Sequence, residues 1–262
     1  AGLAVDLSAP TAVVIGIGNV ALDIARMLVL APQQLAKTDV ADEALAIFRA
    51  SSVREVVLMA RRGPAQAAFT PKELEQLMGL ANLDLLVDPA DLELDAETTA
   101  QLEQPEFGEI RQNILLLKEI ARRQPSMAAD TDRKRIRFMF FHSPESIESD
   151  ANGLKSLHAL RNIITRDAKG RVSAEPDGKA VTIRAGLIVH AIGYQGDVVG
   201  DVPFDAQRGV ILNHLGRVEG TGSDSANKEY AAGWIKRGAS GVIGSNKQCA
   251  SDTVAQLLAD LA

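Results

Sequence analysis

Short, continuous apolar runs alternate along this chain with longer segments whose apolar residues recur every three or four positions. Residues 12–16, AVVIG, form an unbroken apolar run ending on glycine, the pattern of a strand buried on both faces of a parallel sheet. From Asn19 the period changes to helical, with Val20, Ala21, Ile24, Ala25 and Leu28 on one side and Pro32 ending or kinking the segment. Thr38 is the predicted N-cap of a second helix carrying Ala41, Leu45 and Phe48 on one face. VREVVLMA, at 53–60, is a second strand, and PKELEQLMGL, at 71–80, a helix opening on proline with acids in its first turn. LDLLVD supplies a third strand, and Ile110, Ile114, Leu117 and Ile120 stripe a helix over 107–123.

Beyond this point the pattern changes character. Arg133, Lys134, Arg135 and Arg137 lead into a strand, IRFMFFH, and such a basic run is expected to be a solvated edge. LKSLHALRNIIT, a turn near PDGK, and AVTIRAGLIVHAIG predict a small antiparallel unit closing onto a buried strand. From about residue 194 glycines and short polar loops dominate, until Val254, Leu257, Leu258 and Leu261 mark a final amphipathic helix. The fold class is therefore α/β: a Rossmann-like domain with a parallel sheet and a small antiparallel unit over 1–193, followed by a second, glycine-rich segment over 194–262, with the boundary between Ile192 and Gly200.

Composition narrows the function classes. The 262 residues are 46% apolar and 24% charged, which suits a globular chain with real cores. A net charge of −6 argues against a general nucleic-acid binder, which needs positive surface to displace counterions. The single cysteine, Cys249, excludes an internal disulfide and fits a reducing compartment, so a cytoplasmic location (mitochondrial matrix if eukaryotic) is expected. No apolar stretch reaches the roughly 20 residues that span a bilayer. The opening AGLAVDLSAP carries no secretory pattern and no initiator methionine, so a fragment is expected.

The segment VVIGIGNVALDIAR places Gly16, Gly18 and Ala21 between a strand and a helix. Gly16 permits the tight turn, Gly18 lets backbone approach a pyrophosphate, and Ala21 allows close helix–strand packing. The helix N-terminus then offers free N–H groups and partial positive charge to phosphates. A reader of NAD carries an acid at the end of the second strand to hold the ribose 2′-OH. Here that position holds Arg61 and Arg62. Guanidinium forks pair with a 2′-phosphate, and hydrogen bonds to charged groups contribute about 1.5–3 kcal/mol each, so two favour NADP over NAD by roughly two orders of magnitude. Glu73, opening the next helix, is a candidate for orienting an arginine or bonding the adenosine ribose, and equally for a helix-dipole acid.

Four motifs taken together closely resemble the ferredoxin–NADP reductases of the adrenodoxin reductase type: GIGNVALDIARML (16–28), ARRGPAQAAFT (60–70), AIGYQG (191–196) and GWIKRGASGVIGSNKQCASDTVAQLLADL (233–261). The resemblance implies an NADP domain inserted in an FAD domain, hydride transfer from NADPH to flavin, and single electrons passed to a ferredoxin or adrenodoxin-like iron–sulfur protein. It implies that Ile17, Gly18, Asn19 and Val20 form the pyrophosphate loop, Arg61 and Arg62 the 2′-phosphate clamp, and Glu73 the adenosine-side acid. It also implies that Trp234, Gly241, Val242 and Ile243 lie at the flavin, where GASGVIG would present bare backbone to a flat ring. The family's upstream FAD-binding glycine motif is missing from this sequence, so the chain is expected to be the NADP domain plus an incomplete FAD-domain segment, to bind NADP(H), to hold no flavin and not to turn over alone. The Arg133–Arg137 run is a candidate docking patch for the acidic acceptor.

Other classes fit less well. A short-chain dehydrogenase uses Tyr-x-x-x-Lys, but Tyr194 and Tyr230 are followed four residues on by Val198 and Trp234. A methyltransferase would want an acid where Arg61 stands, and no Gly-Lys-Ser/Thr phosphate loop exists. An NADPH-dependent flavoprotein of the glutamate synthase small-subunit type shares the two-nucleotide layout, and a non-catalytic NADP-sensing domain is the alternative outside enzymes. The histidines His142, His158, His190 and His214 show no ligand spacing, so no metal site is expected. Hydride moves directly between cofactors in this chemistry, so no catalytic acid or base is assigned.

Overall fold

The computed structural model describes residues 5–125, 133–151, 153–167, 170–220, 228–240 and 243–261. The chain divides into two compact units, 1–192 and 193–262.

The first unit is built on a five-stranded sheet in the order β3-β4-β2-β1-β8, from β1 (Thr11–Ile15), β2 (Glu55–Met59), β3 (Leu83–Val87), β4 (Lys134–Met139) and β8 (Leu187–His190). Every pairing is parallel. Alternation along the strands assigns two faces. Ala12, Val14, Val56, Leu58, Ile136 and Phe138 face one core with helices α1 (Asn19–Val29), α4 (Pro71–Met78) and α6 (Gly108–Arg123). Val13, Ile15, Val57, Met59 and Met139 face the other, against Leu157, Ala159, Ile183 and Ala185. Those last four belong to an antiparallel sheet of β5 (His142–Ser149), β6 (Lys155–Arg166) and β7 (Val172–Ala185). The second face is thus covered by strands where a doubly wound fold would place helices. Short helices α2 (Pro32–Leu35), α3 (Asp42–Arg49) and α5 (Ala96–Leu102) complete this unit's connections.

Several expectations are corrected. Thr38 caps nothing downstream: its hydroxyl donates to the Leu35 carbonyl, closing α2, and α3 starts after Ala41 without a side-chain cap. PDGK is not the hairpin turn. It lies inside β7 at a register shift where Leu160 faces Ala180 and Asn162 faces Pro176, and the β6–β7 turn is closed by Asp167, whose carbonyl accepts from Gly170 N and whose carboxylate accepts from Arg171 N. Nor is the basic run a solvated edge, because β4 lies between β2 and β3. Arg133 donates to the Leu83 carbonyl and pairs with Asp84 at 3.1 Å, Lys134 donates to the Leu28 carbonyl, and Arg137 pairs with Glu55 at 3.0 Å. Burial, and then the charge of Arg54, push Lys134 below the usual lysine range. Arg133 and Arg137 thus tie β4 to its neighbouring strands and Lys134 ties it to α1.

The second unit has little regular sheet: the hairpin of β9 (Phe204–Asp205) with β10 (Val210–Ile211), and that of β11 (Asn213–His214) with β12 (Arg217–Val218). Helices α7 (Trp234–Arg237) and α8 (Ile243–Leu261) follow. Its core holds Ile211, Val218 and Ala231, with Phe204 and Ile235 against them. On α8 the apolar positions read as buried face outward, Val254, Leu258 and Leu261 being 54%, 60% and 72% exposed. Cys249 and Thr253 are buried instead, and Asp260 accepts from Tyr230 and Arg217. Hydrogen bonding, not apolar burial, chooses the inward face.

Candidate functional site

The candidate site forms at the C-terminal ends of β1 and β2. The chain leaves β1 toward β2 on one side, and the late strand β8, entered from β7, flanks β1 on the other, so the order reverses at β1, the kind of switch point where open α/β sheets bind ligands. Gly16 turns there with φ +134°, its N–H donating to the Met59 carbonyl. A Cβ at Gly16 would lie 2.2 Å from the Ala191 oxygen, just past β8, so only glycine fits the turn. Gly18 is extended at the N-cap of α1, with no side-chain cap and no acid in the first turn. The free N–H groups and partial positive charge of that helix start are therefore uncompensated locally. Val20, in the first turn, is 46% exposed, and Ile17 packs toward the core.

Asn19 does not cap its own helix. Its Oδ1 accepts from Thr70 N at 2.8 Å, the Ile17 carbonyl accepts from Ala68 N, and Gly18 forms a parallel bridge with Ala68. The glycine loop and the loop over 60–70 are thus one bonded unit. At the head of the second loop, after β2, stand Arg61, exposed, and Arg62, half-buried. Neither guanidinium takes an ion pair or hydrogen bond among the described residues. Burial, and then the adjacent Arg61 charge, push Arg62 below its ordinary value. Two like charges kept together without a counterion are a standing electrostatic cost that a bound anion offsets.

Glu73 lies in the first turn of α4, 3.9 Å from Arg26 of α1, which also pairs with Asp23 and donates to Gln76. It therefore ties α4 to α1. In the second unit Trp234 opens α7 and stacks on Tyr194, ring centroids 5.8 Å apart. Gly241 and Val242 lie outside the described residues, and Ile243 is described only as the first residue of α8.

Two buried asparagines escaped the sequence reading. Asn113 of α6 donates to the Phe69 carbonyl, and Asn162 of β6 to the Arg61 carbonyl, pinning the 60–70 loop at both ends. No local pattern announces such contacts, because each joins residues far apart in sequence.

The fold and this pair of loops define a mixed α/β architecture of Rossmann type, with a parallel sheet whose glycine turn and basic loop meet at the switch point. By sequence the chain is homologous to NADPH-ferredoxin and adrenodoxin reductases. It is 42% identical over 257 residues to NADPH-ferredoxin reductase FprA of Mycobacterium tuberculosis, covering 98% of this chain and 53% of that protein. It is 36% identical over 259 residues to the mitochondrial NADPH:adrenodoxin oxidoreductase of Arabidopsis thaliana, covering 96% and 53% respectively. The solved structure of M. tuberculosis FprA in complex with NADPH superposes with a TM-score of 0.85 at 41% identity, covering 98% of this chain and 53% of that one. No protein-family model matches. The chain spans about half the length of the curated relatives it matches. Among the described residues no helix is long and apolar enough to cross a membrane.

Proposed function

We propose that this chain is the NADP(H)-binding part of a flavin-dependent ferredoxin or adrenodoxin reductase. In this reading residues 1–193 bind the dinucleotide and 194–262 belong to an FAD-binding domain. The observation that carries it is the bonded pair of loops, with two guanidiniums that find no partner among the described residues on one and a helix start without an acid in its first turn on the other.

The residues present fit the group. Gly16, Ile17, Gly18, Asn19 and Val20 would hold the pyrophosphate against the start of α1, Gly18 packing 3.9 Å (at its would-be Cβ) from the Ala68 methyl and placing no side chain before the backbone. Arg61 and Arg62 would grip the 2′-phosphate, and Glu73 would lie on the adenosine side with Arg26. Bound there, NADPH would supply the hydride that FAD of the intact protein would take up, for single-electron delivery to an iron–sulfur partner. Trp234, Gly241, Val242 and Ile243 are proposed on the flavin side, and a cytoplasmic location is proposed with them.

Paired titrations of NADP and NAD against the chain and its Arg61→Ala/Arg62→Ala form test the reading. The NADP affinity is expected to fall about a hundredfold and the NAD affinity by less than about twofold. Equal losses for both cofactors would overturn it.

A further inference from the structure

We propose that Asn162 is a positioning residue for the Arg61–Arg62 pair, so that the antiparallel sheet sets the preference for a nucleotide bearing a 2′-phosphate; this rests on the reading of that pair as phosphate ligands. Asn162 is 3% exposed and lies immediately after the register shift in β6, where a bulge re-aims side chains. Its Nδ2 donates to the Arg61 carbonyl at 2.7 Å and to Ser143 Oγ at 2.8 Å. Its backbone N–H donates to the Phe141 carbonyl at 2.6 Å, and Phe141 N–H donates in turn to the Arg62 carbonyl at 3.2 Å. Both arginine carbonyls are therefore held from one place, the crossing from β4 into β5 and the facing residue of β6. Fixing successive peptide planes fixes the directions in which the two Cα–Cβ bonds leave the loop.

The surroundings reinforce that hold. Phe141 has φ +57°, an uncommon conformation for a bulky residue, and its ring fills the space beside Gly63, where a Cβ would fall 2.6 Å from the ring. The Arg161 guanidinium sits 5.8 Å above that ring and pairs with buried Asp91 at 2.8 Å. Asn162 Oδ1 is buried without a partner among the described residues. An uncommon backbone conformation and an unpaired buried acceptor, gathered at one contact, are features that persist where geometry matters to function. Holding two repelling guanidiniums in one arrangement is such a need.

Adenosine 2′,5′-bisphosphate and adenosine 5′-monophosphate differ only in the 2′-phosphate, so their affinity ratio reads the grip on that group alone. In the full 262-residue chain, Asn162→Ala is expected to lower the ratio about fivefold to tenfold while monophosphate binding stays within about twofold. Added to Arg61→Ala/Arg62→Ala, the substitution should lower the ratio no further. A purely structural role would weaken both nucleotides together, and that result overturns the proposal. If the arginine variants collapse the ratio and Asn162→Ala leaves it unchanged, the positioning role is wrong and the phosphate reading stands. If the arginine variants leave the ratio unchanged, the phosphate reading itself fails. Should Asn162→Ala not fold, Asn162→Ser, too short to reach the Arg61 carbonyl, is judged by the same ratio.

Discussion

Asn113 Nδ2 donates to the Phe69 carbonyl at 2.8 Å from the middle of α6, with only 1% of the residue exposed. With the Asn19 side chain accepting from Thr70 N, this amide fixes where the loop over 60–70 ends and α4 begins. Asn113→Ala should leave that carbonyl without its donor and destabilise the chain by about 1–3 kcal/mol in urea unfolding. A change below about 0.5 kcal/mol would mean that water or a shifted backbone replaces the bond.

Gly16 offers a sharper test of the turn after β1. Its φ of +134° and the 2.2 Å approach of the Ala191 oxygen leave no room for a methyl group. Gly16→Ala is expected to cost about 2 kcal/mol or more, from the backbone conformation and from displacing the end of β8. Thermal melting reads the loss, and a wild-type melting temperature would show that the turn relaxes freely.

His142 should make the first unit sensitive to mild acid. Burial is the main cause lowering its pKa, with Arg161 and Arg137 adding to the effect, while its hydrogen bond to Phe140 and the charge of Asp91 oppose it. A histidine whose folded pKa lies below its unfolded value binds its proton more readily when unfolded. Stability is therefore full above the unfolded value near 6.5 and is lost as pH falls through the folded pKa. His142→Gln should flatten that part of a stability–pH curve measured in urea, and an unchanged slope would assign the acid sensitivity elsewhere.

In the second unit, Gly216 has φ +100° and a Cβ there would lie 2.3 Å from Thr253 Oγ1 on α8. Gly216→Ala should loosen α8, costing about 2 kcal/mol locally. Hydrogen exchange should then quicken over 243–261 and stay unchanged in β1 and β2. Uniform quickening through both units would contradict a local effect.

The sheet was readable because its strands are buried on both faces: AVVIG, EVVLM and LDLLV can hardly be anything else. α1, α4 and α6 were readable from their periods. Features set by tertiary hydrogen bonds were not. β5 carries HSPESIES, mostly exposed, and gives no apolar alternation to read. α5 opens on an Asp95 cap yet has only Thr98 and Leu102 buried, too short a stripe to stand out. Position after the second strand singled out Arg61 and Arg62, but nothing local could announce that asparagines from α6 and β6 hold their loop. The inward face of α8 departs from its apolar stripe because Cys249, Thr253 and Asp260 anchor it through polar contacts.

The placement of β8 beside β1 bears on how the chain folds. The first strand of the sheet remains an open edge until one of the last segments of this unit, Leu187–His190, arrives to cover it. The Gly16 turn, leaning on Ala191, is finished only then. Nearly all of the unit must therefore be synthesised before its glycine loop acquires its final shape, and such distant closure is intrinsically slow. Until that moment β1 is a bare apolar template, and the nascent chain depends on β8 arriving before a neighbouring chain does.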